Sequence, residues 1–525
     1  MTHLVIAPIL VPLLAGACLL LIGERRPTLT IVVSLLACLL HIGMVMQLAG
    51  EISRHEVAVA TYALGDWPAP FGIMLVADRL SIIFLVLAGL VGLGSFLFSI
   101  TRWKRKGAHF APLFQFLLMG LSGVFLTGDL FNLFVFFEVT LTASYGLALH
   151  GLGARRVIAG LHYIVVNLVA SLLFLIGATL FFGVAGSLNF ADLAERIPLA
   201  SERARSLLAV GGGLLAVAFL IKAAAWPLGM WLPGLYGAAV APVAAMFVLL
   251  TKVGIYAIIR LGWLWSPDGQ IPALAASALL AIAVATMVMA MIGLLASTTV
   301  ERVAGYSVIL SSGTLLAAIG VGGVQVLSGA LFYLVISSLA GCAFFLLLGL
   351  LEPARAPHTP AHAVRLEPYI AQREPRFSAP EATAIVISRP AAFLSATFLC
   401  CALLLAGFPP FSGFVAKVSI VAPMLSLAAD APAAGFVAAL IIASGLVLLL
   451  ALSRFGIAVF WADPDRSFEN IRWPEAAALL IIMSLAIALA LWPEPGLAYA
   501  RAAAEQLADP GVYVSAVLPG SEPVP

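Results

Sequence analysis

Charge is what this chain of 525 residues has least of: Lys, Arg, Asp and Glu make up only 10% of it. An ordinary soluble domain carries about 25%. With 63% hydrophobic residues and a mean hydropathy of +1.12, there is too little polar surface to cover a water-soluble globule of this size. Disordered, fibrous and disulfide-rich secreted classes are excluded by the same numbers. A net charge of +2 with no long basic run points away from a nucleic-acid partner. The five cysteines (Cys18, Cys38, Cys342, Cys400, Cys401) lie in apolar stretches without CxxC spacing, and read as small core residues. Also missing are a P-loop, a Rossmann fingerprint, HExxH, GxSxG and any Cys/His metal spacing, so nothing suggests a group-transfer site, a cofactor or a bound metal.

What the chain does have is apolar runs of membrane-spanning length, about 20 residues each. Fourteen spans are expected, near Leu4–Ile22, Thr28–Ala49, Ile73–Ile100, Ala111–Thr127, Leu130–Leu149, Val157–Val184 and Leu207–Ala225, then Val240–Gly262, Ala273–Ala296, Val303–Val321, Val326–Leu351, Pro390–Val421, Ala434–Trp461 and Pro474–Trp492. The first lacks a basic leader and is too long for a signal-peptide core, so it is expected to stay as a span. Glu51–Pro70 is polar enough for an outside loop or hairpin.

Basic residues set the orientation. One side collects Arg25-Arg26, Arg102-Lys104-Arg105-Lys106, Arg155-Arg156, Arg302, the Arg355–Arg389 loop and Arg466 with Arg472; the other holds Arg54, Arg196, Arg203, Arg205, Arg260 and Arg501. Both termini are therefore expected to face away from the cytoplasm. Glu352–Arg389, rich in proline and without an apolar period, reads as a cytoplasmic linker or lateral loop rather than a domain.

Of five lysines, Lys104 and Lys106 sit in a loop, whereas Lys222, Lys252 and Lys417 lie inside apolar helices. Glu138 joins them, about 12 Å along its helix from Leu130, near mid-membrane. Each such charge costs about 2.5–3.5 kcal/mol to insert. A structural ion pair with Glu138 would account for one lysine and leave two without an acidic partner, and buried pairs are weak stabilisers. Lys252 has a further bland account, since its long stem could snorkel. An apolar surrounding favours a neutral amine while a nearby carboxylate favours an ammonium, so a lysine held between the two can gain and lose a proton. A row of such groups is a proton relay. It is a poor path for Na+ or K+, because three ammonium charges repel a cation and one carboxylate is left to coordinate it. Any metal-cation site is expected to draw on other subunits.

Two helices are broken by proline. Trp226-Pro227-Leu228-Gly229-Met230-Trp231-Leu232-Pro233 follows Lys222, and Gly407-Phe408-Pro409-Pro410-Phe411-Ser412-Gly413 precedes Lys417. Proline in a helix frees carbonyls, which lipid tolerates only where the backbone is buried or lines a wet cavity. A plain kink is the alternative, but a lysine beside each of two breaks fits a transporter. The breaks fall in the seventh and twelfth helices. That odd offset fits two inverted five-helix units, 111–262 and 273–461, after N-terminal helices in 1–110 and before a last helix and short external tail in 474–525. The fold class is thus an all-α polytopic membrane protein with two inverted repeats and two broken helices. The tenth helix carries Ser307, Ser311 and Ser312 where the fifth carries Glu138. His162 fits two roles: a group handing protons from the cytoplasm to the lysine row, or a satisfied core or interface histidine. Asp78-Arg79 reads as a local pair, Asp129 as an N-cap, and His150, Glu301 and Arg302 as solvated helix-end charges.

Over nearly its whole length the chain resembles the antiporter-like subunits shared by respiratory complex I and the multisubunit Mrp (Pha) cation/proton antiporters. The carrying motifs are GDLFNLFVFFEVTLTASYGL, FLIKAAAWPLGMWLPGLYGAAVAPVAAMFVLLTKVGIYAIIR and AGFPPFSGFVAKVSIV, worded most like the D-type member of the Mrp set. The resemblance implies that Glu138 and Lys222 form the coupling pair and that Lys252 and Lys417 continue the relay. It also implies a hetero-oligomeric bacterial inner-membrane complex exchanging external protons for internal Na+ or K+. Many relatives have a lysine in the sixth helix where this chain has His162, and the residues after Trp492 are too few for the largest subunits of the family. Two other functions fit the same residues: a redox-driven subunit of complex I or a membrane hydrogenase, and a non-transporting scaffold.

Overall fold

Lipid supplies no hydrogen-bonding partner, so a chain this apolar closes its backbone bonds within helices. The computed structural model describes residues 2–23, 25–54, 59–102, 109–151, 153–266, 272–355, 388–460 and 470–518. In chain order the elements are α1 (Ala7–Ile22), α2 (Pro27–Arg54), β1 (Ala60–Ala63), β2 (Met74–Ala77), α3 (Arg79–Arg102), α4 (Phe110–Leu126), α5 (Leu130–Ala148), α6 (Ala154–Ala185) and α7 (Phe190–Arg196). There follow α8 (Glu202–Lys222), α9 (Trp231–Ala238), α10 (Ala241–Leu264), α11 (Ala273–Ala296), α12 (Val300–Val321) and α13 (Val324–Arg355). The last six are α14 (Arg389–Ala406), α15 (Ser412–Leu427), α16 (Pro432–Phe460), α17 (Trp473–Leu491), α18 (Glu494–Ala508) and α19 (Pro510–Val517).

This is an all-α polytopic membrane fold. Among the described residues 12 helices are long and apolar enough to span a bilayer, against the fourteen expected. The apolar helices α1 and α4, at 16 and 17 residues, fall just short of that length. The third span starts at Arg79 rather than Ile73, because Met74–Ala77 pairs antiparallel with Ala60–Ala63 instead of entering the helix. The expected tail after Trp492 carries two helices, α18 and α19, and α18 packs against α13 and α3. Lys104, Arg105, Lys106 and Arg466 lie outside the described residues, as does the expected linker apart from its helical ends at Glu352–Arg355 and Ser388–Arg389.

The core runs along α10, which is buried at all but two of its residues, Ile258 and Gly262, and packs on α3, α8, α12 and α13. Helices α2, α6, α8, α11 and α14 instead leave apolar faces open. Gly254 sets the approach of α10 to α8: a Cβ there would stand 2.4 Å from the Phe219 carbonyl oxygen. Asp129 caps α5 as expected, accepting from the Asn132 amide at 2.9 Å.

One sequence assignment changes near the end of the bundle where α3 begins. Asp78 pairs not with Arg79 but with Arg260. Arg260 lies in α10 and grips Asp78 with both terminal nitrogens, at 2.5 and 2.7 Å, with both side chains 3% exposed. Ser81 adds a hydroxyl to Arg260 at 3.1 Å and an amide to Asp78 at 2.9 Å. The guanidinium is flanked by the rings of Tyr256 and Tyr513, at 5.4 and 5.3 Å, which ties α19 to α3 and α10. Only folding could bring together two charges so far apart in sequence. Removing one partner of a buried pair leaves a bare charge, at about 3–5 kcal/mol, while an apolar pair is far better tolerated. Arg260→Ala should therefore lower the thermal unfolding temperature of the detergent-solubilised complex much more than the double change Asp78→Leu with Arg260→Met.

Candidate functional site

The four intramembrane charges occupy two compartments on either side of α10. In the first, Lys222 is the last residue of α8, where the half-helix presents its negative dipole end to a cation. Its side chain is 7% exposed, and Nζ donates to Asn167 Oδ1 at 3.1 Å and stands 5.6 Å from the centre of the Phe137 ring. Asn167 is fixed in turn, its Nδ2 donating to the Tyr163 carbonyl at 2.9 Å. Glu138 is half-buried on α5 and accepts a short hydrogen bond from the Ser171 hydroxyl. Among the described residues, Glu138 and Lys222 make no direct ion pair. They are joined through α6, on which Asn167 and Ser171 lie four residues apart and so on one face. Phe137, Thr140, Tyr163, Asn167, Lys222 and Trp231 are among the residues around a cavity of about 20 Å³, enough for one water.

In the second compartment Lys252 is 1% exposed, so its stem does not snorkel, and Nζ donates to Ser311 Oγ at 2.9 Å. Ser311 donates to Ser337 Oγ at 3.0 Å. Lys417 donates to the Ala406 carbonyl at 2.8 Å. Ala406 ends α14, so that carbonyl is one the helix itself leaves without a donor. Gly407, at φ +77°, turns the chain in the left-handed region, and the break then delivers Ser412 to start α15. A second cavity of about 20 Å³ touches Lys252, Ser311, Tyr333, Ser337 and Lys417 together. Each break thus sets a lysine at or beside the C-terminal end of the helix that precedes it.

The two cavities are separate. Leu250 and Val253 of α10 face the first, and Val248 and Lys252 the second. The structure therefore brings Lys252 and Lys417 to one space and puts Glu138 and Lys222 on opposite sides of α6 side chains. His162 joins neither compartment and lies exposed on the outer face of α6. Sequence reasoning passed over Asn167, Ser171 and Ser337. The first two carried a signal: Tyr163, Asn167 and Ser171 recur every four residues in an otherwise apolar helix and all three are buried. It also passed over His41, buried in α2 and hydrogen-bonded to Ser122 at 3.0 Å. Among the described residues no group of three His, Cys, Asp or Glu side chains could hold a metal ion.

Comparison with known proteins follows the same lines. A family model described as NADH:quinone oxidoreductase/Mrp antiporter, transmembrane, matches residues 127–446. The D subunit of a probable K(+)/H(+) antiporter of Rhizobium meliloti (strain 1021) is 44% identical, over 98% of this chain and 97% of that one. The D subunit of a Na(+)/H(+) antiporter of Alkalihalophilus pseudofirmus is 33% identical, over 99% and 100%. A chain of the Mrp complex from Dietzia sp. DQ12-45-1b superposes with a TM-score of 0.85 at 26% identity, covering 99% of this chain and 100% of that one. A chain of respiratory complex I from Thermus thermophilus gives 0.77 at 22%, covering 97% and 99%, a likeness of fold.

The packing around Lys417 can be tested through its neighbour on α16. A Cβ at Gly445 would stand 2.8 Å from Lys417 Nζ and 2.6 Å from the Ala406 oxygen, whereas one at Gly213 would meet nothing within 4 Å. Gly445→Ala should cost about 1–3 kcal/mol by overpacking. Gly213→Ala should be neutral or stabilising by about 0.5–1 kcal/mol. Thermal unfolding of the purified variants compares the two, and equal effects would mean that the Lys417 pocket is looser than described.

Proposed function

The chain belongs to the NADH:quinone oxidoreductase/Mrp antiporter transmembrane family, and from that membership we propose that it is the D-type subunit of a multisubunit Na+(K+)/H+ antiporter. Its own task is to carry protons through Glu138, Lys222, Lys252 and Lys417, coupled to cation efflux by the assembled complex. The observation that carries this is the set of three buried lysines, each on an uncharged acceptor, served by a single carboxylate. The names of the relatives, D subunits of K(+)/H(+) and Na(+)/H(+) antiporters matched over nearly their full length, support the cation-coupled reading.

In this reading Lys222 and Lys417 exchange protons beside the half-helix ends that stabilise their ammonium forms, and Lys252 stands between them on α10. Because Lys252 and Lys417 touch one cavity of about 20 Å³ with no carboxylate in its lining, a second ammonium there repels the first at close range. A proton arriving on one therefore favours its departure from the other. Glu138 sets the charge balance at Lys222, and a half-buried carboxylate on a membrane-facing helix calls for a neighbouring subunit to cover it. His162, on the exposed face of α6, would reach the relay only by way of such a neighbour or the membrane surface. The halves 111–262 and 273–461 act as two inverted units, each with one broken helix. The complex lies in the bacterial inner membrane with both termini of this chain on the periplasmic side.

Everted vesicles from an antiporter-deficient host expressing the whole gene cluster test the proposal. A respiratory pH gradient should collapse on adding Na+ or K+ with the wild-type chain, and fail to do so with Glu138→Ala or Lys222→Ala at equal complex abundance. No cation-dependent collapse even in wild type would favour a redox-driven subunit. Equal collapse in all three would make the charges structural and the chain a scaffold.

A further inference from the structure

Glu138 and Lys222 are the pair through which coupling is proposed, yet they do not touch. What lies between them is a pair of side chains on α6, one bonded to the carboxylate and the other to the ammonium. Ser171 gives its hydroxyl proton to Glu138 Oε1. Asn167 uses Oδ1 to hold the Lys222 ammonium at 3.1 Å, and its orientation is not free, because Nδ2 is committed to the Tyr163 carbonyl at 2.9 Å. Tyr163 is itself held by Ser144 at 2.8 Å, so this wall of the first compartment is a chain of bonds from α5 through α6 to α8.

The chemistry of the serine matters most. A hydroxyl has one proton to give. It can give it to Glu138 while that oxygen is an acceptor. When Glu138 takes up a proton on that oxygen, the carboxyl becomes the donor and the serine must turn its own O–H elsewhere. A serine in a helix has two ready alternatives, the carbonyls three and four residues back, which for Ser171 are those of Leu168 and Asn167. Four residues before Ser171 is Asn167, the residue whose side chain holds Lys222.

We infer that Ser171 and Asn167 are positioning residues that form a two-state link between Glu138 and Lys222. With Glu138 ionised, Ser171 points to the carboxylate and Asn167 holds the ammonium. With Glu138 protonated, the Ser171 hydroxyl turns back to the Asn167 carbonyl, that peptide shifts, and the hold on Lys222 weakens. The protonation state of the carboxylate thereby reaches the lysine without a direct ion pair. No atom is transferred through Asn167; only the Ser171 O–H changes acceptor. This inference rests on the proposed proton relay and adds to it the element that connects its first two members.

The test uses the whole complex in everted vesicles, measuring cation-dependent collapse of the pH gradient against pH, normalised to complex abundance. Ser171→Ala takes away the donor that favours the ionised carboxylate. The acid limb of its rate–pH profile should move to higher pH by about one unit, a tenfold change in proton concentration. Ser171→Thr, which keeps the hydroxyl, should restore the wild-type profile. Asn167→Leu should cut the rate severalfold at every pH. A Ser171→Ala profile superimposable on wild type overturns the link while leaving the antiporter function standing. So does a uniform loss in Ser171→Ala that Thr does not repair, since that is the behaviour of a packing residue. Absence of cation-dependent collapse in wild type would instead count against the function itself.

Discussion

A lysine in the middle of a bilayer must find an acceptor, and the architecture of this chain follows from where it finds one. Lys417 takes the carbonyl of Ala406, which α14 leaves without a donor by ending there. Lys222 stands at the end of α8, held by Asn167. A helix α14 that continued would consume the Ala406 carbonyl in its own ladder. Breaking it costs backbone hydrogen bonds, but it also places the negative end of a helix where a positive charge has to be stabilised.

The acceptors chosen are neutral: an amide, a hydroxyl and a carbonyl. A lysine locked to a carboxylate at close range keeps its proton, and breaking such a pair in an apolar interior is expensive. Chain folding keeps that kind of locking for Asp78 and Arg260, a bidentate pair sealed by two tyrosine rings. The contrast between the two kinds of buried charge separates tasks within one bundle. Arg260 lies eight residues beyond Lys252 on the same helix, about 12 Å along its axis. One is locked in a bidentate ion pair, while the other ends on the neutral hydroxyl of Ser311.

Helix α10 is the spine that makes both arrangements possible. It is buried at all but two of its residues, faces one cavity with Leu250 and Val253 and the other with Lys252, and is drawn close to α8 at Gly254. The apolar faces left open on α2, α6, α8 and α11, and half-buried Glu138 on α5, suit a chain that works inside a larger assembly.

Much of this was legible in the sequence, because the bilayer punishes misplaced charge so heavily that Lys222, Lys252, Lys417 and Glu138 stand out by residue type alone. The broken helices were equally plain, since proline and glycine act through the local backbone. By itself the sequence determined the membrane class, nearly all the helices and the charged members of the site. It did not determine who pairs with whom. Asp78 looked toward Arg79 beside it and found Arg260, His162 was open between a relay and a core or interface role and lies exposed, and Glu138 and Lys222, expected as a coupling pair, are bridged by α6. Cost of burial belongs to a single residue and can be read from its type; hydrogen-bond partnership belongs to the packing of distant helices, and only the tertiary structure decided it.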